Sequence, residues 1–262
     1  LDNVKELSLH RYNILKNLKA NDIPFVMGQH VYYRSNNLKP DDIIEEALKQ
    51  GTISIGFIGI AETCKALIGT HHGESDKALQ LALNINKYIK DYCDKLTKEM
   101  SLNWTTYATP AESKVFRDRK DFGLIEGVTD KDYYTNSFHV PVYYPISIAR
   151  KMTIEGQFHP FNNAGRISYI ELSAPPIHNI EAVKAVHQHM VKSGVGYAGI
   201  NFPIDECRHC NYSGIIKDKC PKCGSNEYKK IRRVSGYLGF EERINESKSA
   251  EIHDRFKHDT VN

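Results

Sequence analysis

Two CxxC pairs near the C-terminal end, Cys207 with Cys210 and Cys220 with Cys223, restrict what this chain can fold into more than any other feature. Each pair lets two thiolates from one turn reach the same ion, and the nine residues between them, 211 to 219, bring a second turn round to complete a tetrahedral four-sulfur site. Soft thiolates suit zinc, and four protein ligands leave no open position for catalysis, so the predicted site is structural. Asn211, Ser213-Gly214 and Gly224 follow the pairs as residues that make tight turns. Unrelated buried or redox-active cysteines are the alternative, and the paired spacing counts against them. It also counts against a disulfide framework; Cys64 and Cys93 stand apart from the cluster.

Apolar periodicity places helices at 2 to 20, 40 to 50 (opened by Pro40 and Asp41), 75 to 100, 110 to 120, 145 to 153 and 179 to 192. Extended segments read at 24 to 33, 102 to 107, 167 to 172, 195 to 202 and 227 to 234. The run TISIGFIGI at 52 to 60 suits either a buried strand or the tight start of a helix. Strands alternating with helices through the middle of the chain predict an α/β fold with parallel strands. With 262 residues, 40% of them hydrophobic, there is material for one large core and a small appendage. A compositional break at Pro203 and Asp205 divides the chain into residues 1–202, a cysteine module at 203–228, and a segment 229–262.

The 35 basic and 32 acidic residues balance to a net charge of +3, which argues against a nucleic-acid or membrane surface as partner. The cysteine module carries few basic residues and only Tyr212 as an interleaved aromatic, too little for a stacking platform. No apolar run approaches the roughly 20 residues that span a bilayer. The opening LDNVKELSLH lacks the apolar core and cleavage site of a signal peptide, so a cytoplasmic location is expected. The chain begins on Leu1, about a turn before an amphipathic pattern, and reads as a piece of a longer one.

Gly236 stands 13 residues after Cys223 and 26 before the end, in Arg232-Arg233-Val234-Ser235-Gly236-Tyr237-Leu238-Gly239. A glycine stripped of one α-hydrogen is a stabilised carbon radical, because the flanking amide nitrogen and carbonyl share the unpaired electron. A β-carbon would be expected to clash with the flattened backbone in a narrow site. Arg, two variable residues, Gly and an aromatic match the glycyl-radical consensus, with Gly236 at the radical position and Gly239 read as a turn residue. Glycines between Val and Tyr are common in strand turns, so the order of knuckle, glycine loop and short charged tail carries the reading. That order resembles the C-terminal end of the anaerobic (class III) ribonucleoside-triphosphate reductases, which are glycyl radical enzymes. TISIGFIGIAE (52–62), THHGES (70–75), ATPAES (108–113), NNAGRISYIELS (162–173) and NFPIDEC (201–207) extend the resemblance over almost the whole chain.

The resemblance implies the C-terminal half of a ten-stranded α/β barrel of the glycyl radical enzyme type, with the Gly236 loop inserted toward the barrel centre and a small four-cysteine zinc module near the C-terminus. It implies anaerobic reduction of ribonucleoside triphosphates to deoxyribonucleoside triphosphates. The Gly236 radical would be installed by a radical S-adenosylmethionine activase with an iron–sulfur cluster, the reductant would be formate or a thiol, and the full-length enzyme would be a homodimer. The family's thiyl cysteine belongs to a segment upstream of everything seen here, and Cys64 and Cys93, both on apparent helices, read as buried passive thiols. A reading of another class, a non-catalytic spare part that lends a fresh glycyl loop to a separate or damaged chain, expects the same motifs.

In ATPAES, Thr109 reads as an N-cap, Pro110 as the first helical residue and Glu112 as its capping-box partner, so a helix N-terminus would follow a strand and suit a phosphate. By the resemblance, Thr109, Ala111, Glu112 and Ser113 hold the substrate's phosphates. His71 and His72 are neighbours rather than four apart, so THHGES reads as a loop with Ser75 capping the next helix rather than as a metal site. Asn162-Asn163 reads as a polar turn, and Arg166 and Glu171 as either paired or facing the site.

Overall fold

The computed structural model describes residues 1–111 and 115–260. Its elements run α1 (Asp2–Leu15), α2 (Pro24–Gly28), α3 (Glu45–Leu48), β1 (Thr52–Phe57), α4 (Ile60–Ile68), α5 (Asp76–Met100), β2 (Asn103–Ala108) and α6 (Phe116–Phe122). They continue with α7 (Ile148–Glu155), β3 (Ser168–Glu171), α8 (Ile180–Lys192), β4 (Ala198–Asn201), β5 (Ile204–Cys207), β6 (Ser213–Gly214), β7 (Tyr228–Arg233), β8 (Leu238–Phe240) and α9 (Glu246–Asp254). The class is mixed α/β, as the alternating pattern predicts. No helix among the described residues is long and apolar enough to cross a membrane.

The chain divides into two compact units, the first made of Leu1–Gly56 with Lys87–Tyr107. Its small core gathers Ala20, Met27, Ile44 and Ala47. Two expectations fail here. Segment 24–33 opens as α2 rather than as a strand, because Pro24 takes the first helical position, where its missing N–H costs nothing, and Met27 turns into the core. The helix expected from residue 40 begins only at Glu45. The carbonyls of Pro40 and Asp42 accept instead from Asn21 and Ala20, at 2.9 Å each, and so are not free to build a helical turn.

The second unit comprises Phe57–Asn86 with Ala108–Asn262. Ile60, Cys64, Ala78, Ala82, Phe138 and Phe158 form the centre of its core, with the two phenyl rings stacked at 5.3 Å. Burial pushes the Cys64 thiol up to about 11, as befits a passive core thiol. β3 and β4 pair in parallel, with Ser168 opposite Ala198 and Glu171 opposite Asn201, and α8 is the crossover between them. Gly156 at the end of α7 is needed for close approach: a β-carbon there would lie 2.0 Å from the Ser193 carbonyl oxygen. Ser75 caps α5 as expected, its Oγ accepting from Ala78 N at 3.2 Å. His71 and His72 are both buried beside it; His72 Nε2 bonds the Phe138 carbonyl at 2.9 Å, and His71 packs edge-on to Tyr144.

Two further expectations need correction. The helix read from 110 begins at Phe116, so Thr109 and Pro110 do not form its cap. The Ala108 amide donates to the Ala164 carbonyl at 2.9 Å and the Ala111 amide to Asn136 Oδ1 at 2.7 Å, which commits the backbone before any helical turn can close. Gly239 is not a turn residue either; it lies in β8, paired with Arg232 of β7.

Candidate metal centre and glycine loop

The metal centre and the glycine share one sheet, whose strand order is β6-β5-β7-β8. β5 ends on Cys207, which pairs with Tyr228 at the start of antiparallel β7. Each cysteine pair then folds into the same tight turn: Asn211 N donates to the Cys207 carbonyl at 3.1 Å and Gly224 N to the Cys220 carbonyl at 2.9 Å. Asn211 (φ 55°) and Gly224 (φ 73°) occupy the left-handed region that Asn and Gly tolerate best, which is why these two residue types follow the pairs.

The turns bring all four Sγ atoms within 4.8 Å of one another. Cys207 and Cys223 approach to 3.6 Å and Cys210 and Cys220 to 3.5 Å, across two different turns. A tetrahedron of thiolates at the usual Zn–S distance has edges of about 3.8 Å, so the donor set fits that ion. Ile216, Tyr212 and Tyr228 pack beside the sulfurs, and the His209 amide donates to Cys207 Sγ at 3.4 Å. Asp205, buried next to the knuckle, accepts from Ile216 N at 2.9 Å and from Arg232 Nη1 at 2.7 Å, tying the cysteine turns to the far end of β7.

β7 runs straight into the glycine loop and β8 returns from it, with Arg233 opposite Leu238 and the Val234 amide donating to the Tyr237 carbonyl at 2.8 Å. Gly236 is at the exposed tip, flanked by Tyr237 (58% exposed) and Leu238 (57%). Its φ lies outside the left-handed region, and a β-carbon added to it would meet only Ile167 Cδ1 and the Tyr169 hydroxyl, both at 3.9 Å. The narrow site expected from the sequence is therefore not formed by the described residues, which leave space at Gly236 for a methyl group.

Behind the tip lies a buried cluster of charge. Arg233 stacks on the Tyr169 ring at 3.6 Å, pairs with Glu171, and donates to the Ser235 carbonyl at 2.9 Å. Glu171, on β3, also accepts from Asn201. Burial by itself would raise the Glu171 carboxyl, but Arg233 and Arg255 outweigh it and hold the group at about 2. Glu171 thus faces the glycine loop, whereas Arg166 bonds the His159 carbonyl at 2.7 Å. Asn162 exchanges side-chain hydrogen bonds with Asn86.

The four cysteines expected from their spacing come together, whereas the buried charges behind Gly236 were not expected from the sequence. Residues 246–255 enter the sequence reading only as part of a short charged tail, yet they form α9, and Lys248, Glu251 and Arg255 are all buried. The spacings of three and four between them were the available signal, and they look the same on a surface helix. Of the proposed phosphate-binding residues, Thr109 and Ala111 lie in the segment after β2, while Glu112 and Ser113 fall outside the described residues.

A family model described as anaerobic ribonucleoside-triphosphate reductase matches residues 1–258. The enzyme of that description from Salmonella typhimurium is 36% identical over 239 residues, covering 84% of this chain and 33% of its own length. Those from Haemophilus influenzae and phage T4 are 35% and 33% identical, each covering 97% of this chain and 38% and 42% of their own lengths. The chain thus spans roughly two fifths or less of the curated relatives it matches. A solved anaerobic ribonucleotide reductase superposes with a TM-score of 0.68 at 20% identity, over 98% of this chain and 41% of that one. The Thermotoga maritima enzyme with glycerol in the active site gives 0.64 over 94% and 39%. At this identity the likeness is one of fold.

Proposed function

Because the chain belongs to the anaerobic ribonucleoside-triphosphate reductase family, we propose that Gly236 is the radical store for anaerobic reduction of ribonucleoside triphosphates to deoxyribonucleoside triphosphates, mounted on a zinc knuckle. One observation carries this reading: neither conformation nor space requires a glycine at position 236. Gly224 answers a backbone need through its positive φ and Gly156 through a close contact, whereas Gly28 and Gly196, like Gly236, answer neither; of these three, Gly236 is the one that stands in the glycyl-radical consensus. At 236 the property left to account for it is the α-hydrogen itself, whose removal leaves an electron shared between the Ser235–Gly236 amide nitrogen and the Gly236 carbonyl.

Zinc bound by Cys207, Cys210, Cys220 and Cys223 would supply rigidity and no reaction step, because four thiolates leave it no open position. Thr109, Ala111, Glu112 and Ser113 remain the proposed grip on the substrate's phosphates; Thr109 and Ala111 follow β2 without capping α6, and Glu112 and Ser113 lie outside the described residues. The proposed division into residues 1–202, 203–228 and 229–262 rests on the compositional break at Pro203 and Asp205, and the place of the first of these in half of a ten-stranded barrel follows from the family reading. So do a radical S-adenosylmethionine activase, a formate or thiol reductant and a homodimer of the full-length enzyme. The relatives that match are themselves named reductases, which leaves the spare-part reading without support of its own.

Electron paramagnetic resonance after anaerobic treatment with a cognate activase and S-adenosylmethionine tests the radical. The expected result is a doublet that collapses when glycine is deuterated at its α-carbon. A doublet that persists in Gly236→Ala, or silence with a proven activase and metal in place, would overturn the assignment.

A further inference from the structure

We propose that Arg255, just past the end of α9, is a positioning residue for the glycine loop, clamping the backbone that leads into Gly236. The purpose assigned to the clamp rests on the radical reading of Gly236; its geometry does not.

The three consecutive carbonyls before Gly236 each accept a hydrogen bond from a guanidinium. Arg255 Nη1 donates to the Arg233 carbonyl at 2.8 Å and Nη2 to the Val234 carbonyl at 2.9 Å, while Arg233 Nη1 holds the Ser235 carbonyl at 2.9 Å. Such charge-assisted bonds in a buried setting are stronger than neutral ones, and only an arginine offers two donors in a rigid fork at this span. Gly236, Tyr237 and Leu238 are exposed, and the chain returns through the Val234–Tyr237 hydrogen bond and the pairing of Leu238 with Arg233. The result is an exposed tip on a stem held from behind.

Arg255 cannot swing away, because its own position is over-determined. Its side chain is 2% exposed, and Glu251 Oε1 accepts from Nε at 3.2 Å and Nη2 at 2.9 Å. Glu251 is paired in turn with Lys248, whose ammonium reaches Asn136 Oδ1 at 3.4 Å. α9 is pinned at both ends: Asn245 caps it through Lys248 N at 2.9 Å, Ser247 Oγ donates to the Asp132 carbonyl at 2.7 Å, and Phe256 N donates to the Val142 carbonyl at 2.8 Å. A tail that merely covered the surface would need none of this. Any excursion of the tip that carries residues 233–235 with it must first break the Arg255 bonds, so Arg255 sets how often the loop is released.

Amide hydrogen exchange on the metal-loaded chain tests the clamp without any radical chemistry. Arg255→Lys keeps the charge facing Glu251 but replaces the planar two-nitrogen fork with a single nitrogen, and should lower protection at Val234 on the order of tenfold, with Arg255→Ala lowering it further. Protection in α8 and the metal content should not change. Unaltered exchange at 234–238, or an equal loss throughout α7, α8 and the loop, would overturn the proposal; if the alanine variant does not fold, the lysine variant decides. A second readout follows activation: Arg255→Lys should speed growth of the resonance doublet and its quenching by air to a similar extent, whereas a residue that only supports folding would lower the yield and leave both rates alone. Absence of a doublet in wild type and variants alike would count against the radical reading of Gly236 and leave the exchange result to judge the clamp.

Discussion

Gly236 adopts a backbone conformation open to any residue, with 3.9 Å to the nearest atoms that an added methyl would meet. That makes an uncommon combination of outcomes expected from Gly236→Ala. Replacing glycine by alanine where both conformation and space allow it stabilises a protein by about 0.4–1 kcal/mol, through the lower entropy of the unfolded chain. The variant should therefore bind metal, match or slightly exceed the wild-type urea midpoint, and give no radical signal. A loss of more than about 1 kcal/mol in the urea titration would mean that the glycine serves the backbone after all. The same position shows what a residue-level reading can reach. Gly236 stood out as a candidate because a five-residue pattern sits at a fixed place after the knuckle, whereas Arg255 did not, because nothing local distinguishes an arginine that bonds two distant carbonyls from one that faces water.

At the level of elements, the sheet that carries the glycine is too slight to hold itself. β5 has four residues, β6 two and β8 three, and strands of that length depend on something else to fix their ends. The knuckle does this, since Cys207 terminates β5, and Asp205 ties β5 to Arg232 next to the loop. A structural zinc of this kind contributes on the order of 10 kcal/mol to folding. Stripping the metal with a strong chelator should then remove amide protection from β5 and β7, and with it the ordered approach to Gly236, while α8 stays protected; returning zinc should restore both. Persistence of the β5–β7 ladder in metal-free protein would show that the knuckle is incidental to the loop. The elements that the sequence announced, α5, α8, β3 and β4, are long or lie in a regular alternation. Those it misplaced, α2, α3 and α6, are short, and their limits are set by which distant groups take their backbone amides and carbonyls.

The mixed α/β class and the succession of α5, β2, α7, β3, α8 and β4 were readable because they follow from periodicity, while the polar interior of the second unit was not, because burial of a charge depends on contacts far apart in sequence. That interior makes a definite demand on pH. Burial, the largest cause in each case, pushes His71, His72 and His159 down to about 4 from an ordinary 6.5. With the folded value depressed, the unfolded chain takes up protons first as pH falls, so the stability these rings contribute is complete above about 6.5 and drains away toward 4. The slope is at most about 1.4 kcal/mol per pH unit for each ring. A second window lies lower: Glu155, which burial would raise but Lys151 and His139 hold at about 2, and Glu171, also at about 2, keep their contributions until pH drops below their ordinary 4.5. Thiolate protonation and loss of metal also act in the acid range, so the comparison has to be between two proteins carrying the same knuckle. His72→Gln can keep a donor for the Phe138 carbonyl without taking up a proton, and urea midpoints measured from pH 7.5 to 5 should fall less steeply for it than for wild type, by close to one proton's worth. Parallel slopes would move the acid sensitivity away from His72 and onto the remaining titrating groups, the four thiolates first among them.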